Sequence, residues 1–97
     1  MNYNFEWDPK KARENRRKHG VGFEQATTIF RDPRARSIYD ASHSREEDRW
    51  MTLGMAESGA LLVVHHSFEE ADVRTAEIRI FSCRKATKRE IHQYGEA

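Results

Sequence analysis

Between Ala76 and Tyr94 the sequence AEIRIFSCRKATKREIHQY passes from alternating residues into a run of cations. Arg84, Lys85, Lys88 and Arg89 crowd together there. Thr87 and Glu90 stand at the three-residue spacing of a helix capping box, so the cations gather where a strand hands over to a helix. Several long cationic side chains beside the positive end of a helix dipole suit an anionic ligand, and phosphate is the leading candidate. Just upstream, strand alternation points Ile78 and Ile80 one way and Glu77, Arg79 and Phe81 the other. One face is core and the other is charged.

Proton-transfer groups come from the preceding strand. His65 and His66 are adjacent, so only one can share the face of Arg79, while the other approaches the core or an edge. The competing chemistry is a metal site. The chain has five histidines, His19, His43, His65, His66 and His92, but no HxxxH or CxxC spacing, so neither a metal nor a cofactor is expected. Cys83 is the single cysteine and reads as a small buried residue, because the sequence places no histidine beside it to activate a thiolate. One cysteine forms no internal disulfide, which agrees with a reducing compartment.

The elements that must position these groups follow from local signals. Phe5, Glu6 and Trp7 alternate into Asp8 and Pro9, an N-cap and a first-turn proline for a helix from about Pro9 to His19 that stops at Gly20. Its clear apolar residue is Ala12, so this helix faces solvent or a partner. A second helix carries Phe23, Ala26, Thr27 and Phe30 on one stripe and closes at Asp32 and Pro33. Strands follow at Ala35 to Tyr39, Arg49 to Met55, Leu61 to Phe68 and Val73 to Phe81, with turns at Glu57 to Gly59 and Glu69 to Asp72. The pattern predicts an α+β fold: two N-terminal helices on an antiparallel meander of about four strands, with a C-terminal helix.

At 97 residues the chain suits one domain, with 10% aromatics to build a core despite a mean hydropathy of -0.94. No apolar run approaches the roughly 20 residues of a membrane span, and MNYNFEWDPKK lacks the apolar stretch of a secretory signal. A cytoplasmic protein with no membrane partner is expected. The net charge of +1 conceals segregation. Lys10, Lys11, Arg13, Arg16, Arg17 and Lys18 crowd the first helix, and Asp40, Glu46, Glu47 and Asp48 make an acidic section. Nucleic acid on one face and an acidic partner on another would fit; ordinary solvated faces would fit as well.

Taken together, FEWDPKKARENRRKHGVGFEQA, RWMTLG and IRIFSCRKATKREIHQY resemble, over nearly the whole chain and in order, the BrnT family, toxins of bacterial type II toxin-antitoxin pairs. The resemblance departs at Cys83, where the family pattern more often has alanine. It implies a single BrnT-like domain over residues 1–97 with a RelE-like fold, a ribonuclease activity, and neutralisation by a BrnA-like ribbon-helix-helix antitoxin, through which alone DNA would be bound.

What the resemblance implies chemically is metal-independent cleavage of RNA by attack of its own 2′-hydroxyl on the adjacent phosphorus. Arg79 and Arg84 are then the leading phosphate clamps, since a guanidinium forks two hydrogen bonds to phosphate, and Arg49 is next. Lys85, Lys88 and Arg89 would hold flanking phosphates. His65 or His66 would move protons, or Glu77 would act as a base. Tyr94 would stack on a base or simply pack the last helix onto the sheet. A non-catalytic RNA- or partner-binding module is the alternative. Direct DNA reading through the KHGVGF turn is weaker, because the second helix spends its best face on the core.

Overall fold

The first helix, α1 (Pro9–His19), has the ends its sequence specifies. The Asp8 carboxylate accepts the Lys10 N–H at 2.9 Å, Pro9 opens the first turn, and Gly20 ends the helix in the left-handed region at φ 72°. The computed structural model describes residues 1–96. Before α1 lies β1 (Asn2–Glu6). After it come α2 (Phe23–Thr27), a 3-10 turn over Thr28–Arg31, β2 (Arg36–Tyr39), a second 3-10 turn over Ala41–His43, and β3 (Arg49–Met55). Then follow β4 (Leu61–Ser67), β5 (Glu69–Asp72), β6 (Thr75–Lys85) and α3 (Lys88–Gly95). Among the described residues no helix is long and apolar enough to cross a membrane.

The second helix is shorter than its stripe suggested. Tightening to 3-10 geometry after Thr27 sets Ile29 three residues beyond Ala26 on the buried face, where it is fully enclosed. Phe30 turns aside to meet the rings of Tyr3 at 5.8 Å, Phe5 at 5.4 Å and His66 at 4.8 Å.

The sheet has six strands rather than about four, in the order β1-β6-β4-β3-β2, with β5 pairing β6. The expected meander is present as the antiparallel run β2, β3, β4, β6. Its tightest turn sits at Glu57–Gly59, where Gly59 at φ 90° donates its N–H to Ala56. Two strands lie outside that meander. β1 pairs in parallel with β6, from Asn2 opposite Thr75 to Glu6 opposite Arg79. Glu69 to Asp72, expected as a turn, is β5; the chain reverses at Val73 and Arg74 instead, where Asp72 accepts the Arg74 N–H at 2.8 Å. Charged, exposed and short, β5 has the composition with which edge strands avoid further pairing.

α1 and α2 cover one face. Val21, Phe23, Ala26 and Ile29 meet Leu62, Val64, Ile78, Ile80 and Cys83 in one cluster. Asn15, buried in α1, fastens this layer: its amide donates to the carbonyls of Val21 at 3.2 Å and Cys83 at 2.8 Å, and its oxygen accepts the Cys83 N–H at 3.1 Å. Phe5 and Trp7 pack at the rim of the same cluster. α3 begins with the expected capping box, Thr87 with Glu90, and Tyr94 is buried with its hydroxyl on Asp32 at 2.7 Å.

A bulge in β6 decides what the other face displays. Ser82 pairs with His65 but Ile80 pairs with His66, leaving Phe81 as the extra residue. The buried positions therefore run Ala76, Ile78, Ile80 and then Cys83. Simple alternation would put Arg79 and Arg84 on opposite faces. The slip puts both on the face turned away from α1 and α2.

Candidate active site

On that open face a cleft of about 230 Å³ lies between the start of β3, the middle of β4 and the bulge of β6. Asp40, His43, Arg49, His65, Phe81 and Ser82 line it, together with Trp50 and His66. Two other depressions flank the loop at Ser44 to Asp48, one of them sharing His43 and Arg49 with this cleft, but Glu46, Glu47 and Asp48 contribute to their walls and would repel a phosphate.

The two histidines divide as the strand period requires. His66 faces the helices, where Nδ1–H donates to the Ser67 carbonyl at 2.9 Å and Nε2 accepts from Thr52 Oγ1 at 2.6 Å; Thr52 in turn meets Ser37 at 2.7 Å. Burial pushes its pKa down, and its hydrogen bonds are spent on the fold. His65 is half-buried on the open face, opposite Met51 and Ser82. Burial lowers its pKa first and the positive charge of Arg84 lowers it further, with Asp40 and Glu90 opposing. A neutral imidazole at neutral pH follows, the form that accepts a proton.

Arg49 and Arg84 differ in how far they are committed. The Arg49 guanidinium lies over the Phe81 ring at 4.1 Å, while its nearest carboxylate, Glu47, is 3.6 Å away. Stacking fixes the plane and leaves the edge N–H groups for an anion. Lys11 approaches the same ring at 5.8 Å. Arg84 instead forks onto Glu90, with Nη1 to Oε1 at 2.7 Å and Nη2 to Oε2 at 3.0 Å. Glu90 also accepts the Thr87 N–H at 2.8 Å, so the anion seated at the start of α3 belongs to the protein itself. Its pKa is pushed from 4.5 to about 2, chiefly by the Arg84 hydrogen bonds.

The remaining residues singled out by sequence lie around this centre. Arg79 is two strands from Arg49, across Ser67, and pairs outward with Glu6 at 2.9 Å. Glu77 lies farther along β6 and accepts from Asn4 at 3.3 Å. Lys85, Lys88 and Arg89 are exposed at the β6–α3 junction. Tyr94 is enclosed, with Arg34 over its ring at 5.1 Å, a packing position. Cys83 is fully buried and its thiol is pushed up to about 12, which removes the thiolate a nucleophile needs. Among the described residues no group of three or more His, Cys, Asp or Glu side chains is placed to hold a metal ion.

Sequence reading passed over Phe81 as a seat for Arg49, and over the pairing of Asp40 with His43 at 2.8 Å. The second had a signal, a carboxylate three residues ahead of a histidine in a polar turn.

An arginine and a neutral imidazole lining a small cleft, with a second arginine acting on that imidazole, define a protein equipped to hold an anionic group and to move a proton beside it. The family model described as the ribonuclease toxin BrnT of type II toxin-antitoxin systems matches residues 7–90, and the chain belongs to that family. No curated protein matches it. Among solved structures it is similar to the crystal structure of the ribonuclease toxin BrnT from Brucella abortus, at a TM-score of 0.62 and 18% identity, over 91% of this chain and 100% of the other. That likeness is one of fold.

Proposed function

We propose that this toxin cleaves RNA without a metal, by attack of the 2′-hydroxyl on the adjacent phosphorus within the cleft at Arg49, His65 and Phe81. The observation that carries the reading is the convergence of Arg49 and a neutral His65 in one cleft, with Arg84 close enough to depress the histidine's pKa. Arg49 holds the scissile phosphate and its developing charge from within the cleft, Arg84 adds its remaining N–H groups from its pair with Glu90, and His65 accepts the 2′-hydroxyl proton. Donors of N–H dominate the site, which suits charge stabilisation by hydrogen bonds. Lys85, Lys88 and Arg89 track the flanking backbone, and Arg79 extends the strip from its pair with Glu6. Growth inhibition in the cytoplasm by a RelE-like hydrolase, relieved by a ribbon-helix-helix antitoxin that alone contacts DNA, completes the proposal.

The test is incubation of purified protein with end-labelled RNA in EDTA. Wild type should cut, and Arg49→Lys, which keeps the charge but loses the planar stack on Phe81, should slow cutting by roughly 10²-fold. Arg84→Ala should abolish cutting while the protein remains folded. Folded wild type that retains RNA on a filter yet never cuts it would support a binding module instead.

A further inference from the structure

His43 belongs to neither of the elements that sequence reading marked for chemistry, yet it opens onto the same cleft as His65 and Arg49. The β2–β3 connection holds it there. Asp40 donates its N–H to the Arg49 carbonyl at 2.8 Å, and the Ser44 hydroxyl accepts the Arg49 N–H at 2.9 Å while donating to the Asp40 carbonyl at 2.6 Å. The base of the loop is thereby tied to the strand that carries Arg49. Within the loop, Asp40 Oδ2 takes the Nδ1–H of His43 at 2.8 Å, and the other oxygen of Asp40 accepts from Ser42 at 2.9 Å. The side chain is 68% exposed. A carboxylate on Nδ1 fixes the tautomer and leaves Nε2 as the working nitrogen, the relation that positions a catalytic imidazole.

We infer that His43 is the general acid of this site, with Asp40 as its positioning residue, acting in concert with His65 as base. The role rests on the ribonuclease reading above. In the step, the O2′–P bond forms as the O2′ proton passes to His65, and the P–O5′ bond breaks as the leaving 5′-oxygen takes a proton from Nε2 of His43. The products are a 2′,3′-cyclic phosphate and a 5′-hydroxyl end. An ordinary surface ion pair between Asp40 and His43 would need no shared cleft with a second imidazole.

Two substrates separate the possibilities. One is ordinary RNA and the other carries sulfur in place of the bridging 5′-oxygen, whose thiolate leaves without a proton. His43→Gln should slow cleavage of ordinary RNA by about 10²- to 10⁴-fold and leave the sulfur substrate near the wild-type rate. Asp40→Asn should show the same pattern more weakly, and His65→Gln should lose both substrates. If wild type cuts both while His43→Gln either keeps or loses the two alike, His43 is not the acid, and the ribonuclease reading survives. If wild type cuts neither, that reading falls, and the role of His43 with it.

Discussion

Replacing Glu90 with glutamine tests how the junction between β6 and α3 is held. Glutamine preserves the reciprocal capping contact with Thr87 and removes the negative charge and one of the two acceptors that Arg84 forks onto. The fall of the Glu90 pKa from 4.5 to about 2 sets a ceiling of about 3.4 kcal/mol, at 1.36 kcal/mol for each tenfold change in proton affinity. Arg84 and Glu90 are 33% and 21% exposed, so water screens the pair, and about 1–2 kcal/mol is the expected loss at pH 7. In a chain this size that lowers the melting temperature by roughly 5–10 °C. The sign of the pH dependence is fixed. A carboxyl whose folded pKa is depressed binds fewer protons folded than unfolded, so its contribution is complete above about pH 4.5 and fades as pH falls towards about 2. Urea unfolding of wild type and variant at pH 7, 4 and 2.5 reads the gap directly. It should narrow step by step, and a gap that stays constant, or that is absent at pH 7, would refute the reasoning.

Asn15→Leu should cost about 2–4 kcal/mol, because it strands the Cys83 N–H and carbonyl inside the core; the urea midpoint should fall with little change in slope. His66→Gln should lower stability at pH 7.5 by about 1–2 kcal/mol through loss of its Thr52 and Ser67 bonds. It should also flatten the pH profile: the folded pKa of His66 lies below its ordinary 6.5, so the unfolded chain protonates first and wild-type stability declines as pH drops below about 6.5. Calorimetric melting between pH 7.5 and 5.5 checks both, and an unchanged slope in the variant would place that proton elsewhere.

Local chemistry was readable wherever it acted within a few residues. Asp8, Pro9 and Gly20 gave the bounds of α1, Thr87 and Glu90 the start of α3, and the adjacent pair His65 and His66 had to part company on a strand. What escaped depends on partners remote in sequence. Nothing in NYNFE says that it will lie parallel to residues 75–79, and Glu69 to Asp72 read as a turn because its acidic residues suit an exposed edge as well as a loop. The Phe81 bulge is invisible to a period-two reading, yet it decides that Arg84 shares a face with His65. At the candidate site, the cations were evident from composition, but their commitments were not. Whether Arg84 meets Glu90, Arg79 meets Glu6 or Arg49 stacks on Phe81 is settled only when strands and α3 are brought together.

The parallel pairing of β1 with β6 also governs when the protein can come into being during synthesis. β1 must wait for β6, since Glu6 meets Arg79 across 73 positions and Asn15 reaches Cys83 across 68. Neither β1 nor α1 has a sheet to lie against until β6 is free. With β1 and α1 knitted to β6, the chain has the long-range contacts that slow folding, and its layers close only once β6 is available. The cleft is built from β3, β4 and β6, so it too is completed late. A nascent chain therefore cannot assemble the cleft before β6 has been made, and a partner that recognises the folded sheet meets it only then.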